Sequence, residues 1–223
     1  MNLFWFLQPG MTIDLILLGF LVRLFIIFAI LPVHEFAHAF VSHKLGDDTA
    51  KWMGRMTLDP VKHLDPIGAL MIMFVGFGWA KPVPVNPKNY KNERVGSAIV
   101  SAAGPLSNLI FAFLAMFIYK VLIIAFGTSY DFFVAVSFVF SLLVSINISL
   151  AIFNLIPIPP LDGFDILALF LPRRAVGYIE ANRRIISYAL MAFIVFGSFT
   201  FIEPVSDGIW GLFNFLTRLI LGI

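Results

Sequence analysis

The sequence predicts an all-α polytopic membrane protein, a bundle of about four to six transmembrane helices with a small re-entrant β-hairpin. Three observations carry this. Hydrophobic residues make up 60% of the 223 and charged residues 13%, against roughly 45–50% and 25% in a soluble domain. Apolar runs of bilayer length recur between turns rich in Gly, Pro and charge. Between two of these runs lies a segment in which Pro alternates with other residues, which no helix interior tolerates. The length suits one membrane-embedded domain over residues 1–223, with a core at about 12–171 and C-terminal helices over 172–223.

Taken in order, Leu3 to Leu7 reads as an interfacial anchor, because Trp and Phe favour that zone. Met1 to Gly10 carries no Lys or Arg, so no cleavable leader is expected there. The first span is expected from about Thr12 to His43. At 1.5 Å per residue it is roughly 45 Å long and must tilt, kink or project. Pro32 is the expected kink, and Arg23 lies mid-span. Gly46-Asp47-Asp48 ends the helix. Lys44 to Pro66 is a polar loop. Ile67 to Trp79 is apolar but about 13 residues long, too short for an ordinary span, and fits a re-entrant element.

Gly76 to Pro87 reads as extended backbone or a hairpin, whose free edge suits strand addition by a peptide. Glu93 to Phe126 is a long helix with a small-residue face around Gly96, Ser101 and Gly104; Gly104-Pro105 is expected to break its regularity. Phe132 to Ile156 is the next span and contains Asn147 and Asn154. Pro157-Ile158-Pro159-Pro160-Leu161-Asp162-Gly163 then holds the chain out of helix, and a short helix follows at Phe164 to Leu171. Ile185 to Ile202 is a last span, and Pro204 to Ile223 an amphipathic or partly spanning tail.

Basic residues cluster at 44–94 and 173–184, while the turn at Gly127 to Asp131 has none. The positive-inside rule places both clusters in the cytoplasm. This requires that Ile67 to Trp79 does not cross.

The chemistry concentrates at His34-Glu35-Phe36-Ala37-His38. Two histidines four apart share a helix face and reach one tetrahedral metal ion, with Glu35 beside them to take a proton from a water. Ionisable groups in an apolar span are expensive and read as functional. The chain has no cysteine and four histidines, so disulfides and thiolate ligands are excluded. Two histidines need a third ligand at similar depth. Asp162, in broken backbone at a cytoplasmic helix end, is the first candidate; it also suits the cap of the following helix. Asp165 is second and His63 third. A net charge of +2 gives no reason to expect nucleic acid.

His34 to His38, Gly104-Pro105-Leu106-Ser107-Asn108 and Asn154 to Gly163, in that order and spacing, resemble the site-2 protease family of intramembrane zinc metalloproteases. The Gly76 to Pro87 stretch is similar to the membrane-embedded hairpin of its compact prokaryotic members, which lack a PDZ domain. The resemblance implies one Zn2+ per chain held by His34, His38 and Asp162, with Glu35 as the catalytic glutamate. It implies that Asn154 helps to hold the substrate carbonyl or its oxyanion. Asn108 matches an asparagine that packs near the site and is counted, with Trp79, Lys81, Pro82 and Val83, among the substrate-binding candidates. The expected activity is endopeptidase cleavage in or near transmembrane helices, in a lipid bilayer. The expected location is a multi-pass plasma-membrane protein whose site opens to the cytoplasm. Two alternatives stand beside it: a metal- or proton-coupled transporter, and an inactive helix-binding scaffold.

Overall fold

A computed structural model describes residues 5–7, 10–75, 78–126, 130–196 and 202–222. The expectations for residues 1–4, for Gly76 and Phe77, and for the turn at 127–129 fall outside the described residues.

Three helices are long and apolar enough to cross a bilayer: α1 (Ile13–Lys44), α3 (Glu93–Phe126) and most of α4 (Tyr130–Asn154). Helix α2 (Pro66–Val75) lies between α1 and α3. After α4 come α5 (Asp162–Ala168), α6 (Arg173–Ala181), α7 (Arg183–Phe196) and α8 (Ile202–Leu221). Among the described residues there is no β-strand.

Helix α1 starts where Thr12 caps it, accepting a hydrogen bond from the Leu15 amide. Its regularity changes at Ile26–Ile30, a π-helical segment, where the Leu31 N–H reaches the Ile26 carbonyl. Pro32 follows at once. It cannot donate to Phe28, and its ring crowds that carbonyl, so a wider turn relieves the contact. Gly46, with φ of 103°, closes the helix.

Helix α3 shows most clearly how this sequence makes a membrane fold. Gly96, Val100, Gly104, Asn108, Ala112 and Met116, each four residues from the last, are buried. Leu106, Ile110, Leu114 and Ile118, also four apart, are exposed. An apolar row of that length facing outward is unfavourable in water and ordinary against lipid. The inward row is small, which lets α1 and α4 approach closely. Contrary to expectation, α3 runs unbroken through Pro105. A proline removes one helix hydrogen bond, and the Ser107 hydroxyl donates to the neighbouring Gly104 carbonyl at 2.7 Å. The main core joins Val22, Ile26, Ile30 and Leu31 of α1 to Ile72 of α2 and to Ile146 and Leu150 of α4.

Helix α2 has 10 residues, about 15 Å, half a hydrocarbon core. The chain after it, from Gly78 to Asn86, is neither helix nor strand. Pro82, Pro84 and Pro87 remove the donors a ladder needs, and push Lys81, Val83 and Asn86 to the β or polyproline region. The segment is held by isolated hydrogen bonds to backbone and side chains elsewhere instead. The Lys81 amide donates to the His63 carbonyl at 2.8 Å. Arg55 donates to the carbonyls of Lys81 and Pro82.

At the C-terminal end of α1, fully buried Asp47 gathers five donors: Ser42 Oγ, the Thr49 amide and hydroxyl, the Asn86 amide and Asn89 Nδ2. Burial pushes its carboxyl up, but the hydrogen bonds from Asn86, Thr49 and Asn89 outweigh that and hold it at about 2. The stabilisation is complete above the ordinary carboxylate value of about 4 and is lost as pH falls through about 2. Asp47→Ala is expected to lose about 1–3 kcal/mol by leaving these donors unpaired. Thermal unfolding in detergent at pH 7 and at pH 2 checks this: the gap from wild type should shrink at the lower pH.

Candidate metal centre

His34 and His38 lie on the buried face of α1, one turn apart. Each ring is oriented from α3. The His38 Nδ1–H donates to the Val100 carbonyl at 2.7 Å, and His34 Nδ1 lies 3.3 Å from Asn108 Oδ1. A carbonyl only accepts, so these contacts place the protons on Nδ1 and leave the Nε2 lone pairs facing each other. The two Nε2 atoms are 3.1 Å apart.

Asp162 approaches from α5. It is the first helical residue; Leu161 occupies the cap position, with no side-chain cap bond. The capping role allowed by the sequence is therefore not the one Asp162 takes. Its Oδ2 lies 3.5 Å from His34 Nε2 and 3.4 Å from His38 Nε2. That atom is buried and has no hydrogen-bond partner.

Two glycines permit the convergence. A Cβ on Gly104 would stand 2.4 Å from His38 Nε2 and 2.5 Å from His34 Nε2. A Cβ on Gly163 would stand 2.2 Å from the Leu155 carbonyl oxygen. Helix α5 is further tied to α3 by Ser101, whose hydroxyl donates to Asp165 at 2.7 Å, and by Arg94, whose guanidinium donates to the Ala168 and Leu171 carbonyls.

Three electron-pair donors pointed at one another repel unless a cation lies between them. Ligands about 2.0–2.1 Å from a tetrahedral zinc stand roughly 3.3 Å apart. The observed 3.1, 3.4 and 3.5 Å fit that edge. Among the described residues this is the one group of three or more such side chains able to hold a metal.

Glu35, His34, His38 and Asp162 line one cavity of about 420 Å³. Trp79, Pro82, Val83 and Asn154 line it too. Glu35 Oε2 accepts the Val83 amide at 3.0 Å. Asn154 Nδ2 donates to the Leu150 carbonyl at 2.9 Å. Lys81 is exposed and absent from the lining. Asn108 is fully buried behind His34 rather than on the cavity wall. His63 is buried with Nε2 2.8 Å from the Thr57 carbonyl, and is not in the metal group. Asp165 lines the cavity without joining that group.

Some of the surroundings escaped the sequence. The Val100 carbonyl carries no residue signature. Arg183, Ser187 and Tyr188 of α7 reach the cavity from a helix that the sequence marks only as apolar. Asn108→Ala is expected to weaken zinc binding about 10–100-fold, the worth of an outer-sphere partner. Competition with a chromophoric chelator measures this.

Comparison with known proteins gives the same chemistry. The family model described as Peptidase family M50 matches residues 120–198. The chain is 40% identical over 190 residues to the Bacillus subtilis protein named "Putative zinc metalloprotease YwhC", covering 82% of this chain and 81% of that one. It is 31% identical over 146 residues to a Mycolicibacterium smegmatis protein, and 28% identical over 183 residues to a Mycobacterium tuberculosis protein; both bear the name "Putative zinc metalloprotease Rip2". These alignments cover 61% and 80% of this chain, and 52% and 65% of those proteins. No solved structure matches.

Proposed function

Since the chain belongs to peptidase family M50, the site-2 protease family of intramembrane zinc metalloproteases, we propose that His34, His38 and Asp162 hold its zinc and that Glu35 is its general base. The observation that carries this is the convergence of two histidine Nε2 atoms and an orphaned Asp162 Oδ2 on the cavity that Glu35 faces. Bound there, zinc supplies Lewis-acid polarisation and makes a water nucleophilic near neutral pH.

The chain's own residues do the rest. Glu35 takes the proton as water attacks the scissile carbonyl, then returns it to the departing amine nitrogen. The Asn154 side chain, on the cavity wall, holds the carbonyl oxygen as charge grows on it. Trp79, Pro82 and Val83 receive an unwound stretch of a membrane-protein substrate. The hairpin expected at 76–87 is assigned to the substrate-bound state, where the added strand supplies the missing partner. Lys81 acts through its backbone, which fixes the start of this segment.

Helices α1, α3 and α4 cross the membrane. Helix α8, with 20 residues and a length of about 30 Å, supplies a fourth crossing, and α7 contributes to a fifth. The whole chain is one domain, with α6 to α8 appended to the catalytic core. The basic stretches at 44–94 and 173–184 face the cytoplasm of a plasma membrane. His38, six residues from Lys44, lies about 9 Å along the helix from that surface. A transporter does not fit a peptidase family, and an inert scaffold would show no turnover of a transmembrane substrate.

The test is Asp162→Ala. Zinc affinity should fall by more than the roughly 10–100-fold of an outer-sphere change, and cleavage of a transmembrane substrate in detergent should disappear. Unchanged zinc content would remove Asp162 from the ligand set.

A further inference from the structure

The proposed base is not free within this cavity. Its Oε2 is engaged by the Val83 amide at 3.0 Å, across 48 residues of sequence. That amide is singular in its setting. Pro82 and Pro84 flank it and have no N–H, so Val83 is the one backbone donor between Lys81 and Val85. The Lys81 amide is already bound to the His63 carbonyl. The Asn86 amide is bound to Asp47. Arg55 pins the carbonyls of Lys81 and Pro82. The segment is thus fixed at both ends, with the Val83 donor aimed at the carboxylate that has to accept a proton.

We propose that the Val83 amide is an exchange point: it holds Glu35 in the resting enzyme and passes to a backbone carbonyl of the incoming substrate, which releases Glu35 to water. This rests on Glu35 being the base and adds how that base is controlled. The exchange replaces one N–H···O bond with another at the same donor, so little is lost in hydrogen bonding. A peptide long enough to lie along residues 81–85 drives the exchange. A short peptide that reaches only the metal centre does not, and meets a base whose side chain is still held towards Val83. Val83 is accordingly a positioning residue for the base as well as a substrate contact, and the enzyme prefers substrates that present an unwound, extended stretch.

The test compares two substrates, a transmembrane polypeptide and a short soluble peptide carrying the same scissile bond, in detergent with zinc. Val83→Pro deletes the N–H and keeps the backbone region. It is expected to raise KM for the long substrate about tenfold and to raise kcat/KM for the short one several-fold. Val83→Ala, which keeps the N–H and trims only the side chain, should not reproduce these opposed changes. Equal losses on both substrates, or no change on either, overturn the exchange. If Val83→Pro fails to load zinc, Arg55→Ala carries the test, because loosening the Lys81 and Pro82 carbonyls also frees Glu35; the same opposed changes are expected, and parallel changes overturn the proposal. Failure of the base assignment itself is seen separately, as retained activity of Glu35→Gln on both substrates.

Discussion

Glu35→Gln is expected to retain its zinc and to lose peptide hydrolysis by about 10²–10⁴-fold, the usual worth of a general acid–base. Gln is close in shape and still accepts the Val83 amide through its carbonyl oxygen, so the segment at 80–85 has no reason to move. What disappears is the ability to take a proton from water and return it to the amine. The proposed metal donors are the Nε2 atoms of His34 and His38 and Asp162 Oδ2, none of which the substitution touches. Metal analysis beside a cleavage assay on a transmembrane substrate separates the two effects. Full activity in the variant would remove Glu35 as base, and loss of zinc would make it a structural residue.

Gly104→Ala is expected to be nearly as severe, by a different route. The added methyl would lie 2.4 Å from His38 Nε2 and 2.5 Å from His34 Nε2, inside any allowed contact and on the atoms that must face the metal. Either the imidazoles turn away or α1 and α3 separate. Helix α1 has little freedom to retreat, since Ile26, Ile30 and Leu31 are locked against α2 and α4. The rings therefore yield, and zinc affinity should fall by at least as much as on loss of an outer-sphere partner, about 10–100-fold. Helical content by circular dichroism should stay near wild type, because Ala is a better helix former than Gly. Wild-type zinc affinity in this variant would show that the close approach is not what shapes the site.

The sequence exposed those parts of the site whose geometry is local. His34 and His38 face one way because a four-residue step is about one helical turn, and that holds wherever α1 packs. Asp162 was legible because the prolines before it exclude a helix that would have turned its side chain elsewhere. The bounds of α3 were legible from apolar content alone. What the sequence misjudged was settled by environment. Pro105 reads as a breaker by the rule for water, yet in hydrocarbon no solvent competes for the backbone and the helix continues. Residues 78–86, within the stretch read as a hairpin, form no strand: Pro82 and Pro84 have no N–H, so a ladder there needs a partner strand from outside. The cap reading of Asp162 was local too, and the histidines of α1 outbid it. Contacts such as Val83 with Glu35, or Val100 with His38, join distant stretches through a carbonyl or an amide that every residue type possesses, so composition could not announce them.

The buried row of α3 has a geometrical consequence. Its members recur every four residues, while a helix closes a turn in 3.6, so the row precesses by about 40° per step and roughly 200° from Gly96 to Met116. Val100, Gly104 and Asn108 face the histidines from one side of the rod. Ala112 and Met116, about 100° further round and about 15 Å along the axis, face Val144, Ile148 and the Trp210 and Phe213 side chains of α8. A single cylinder thus serves two clients at different heights and on different faces, and sequence change at the α8 end is separated from the proposed zinc ligands by about 15 Å of helix.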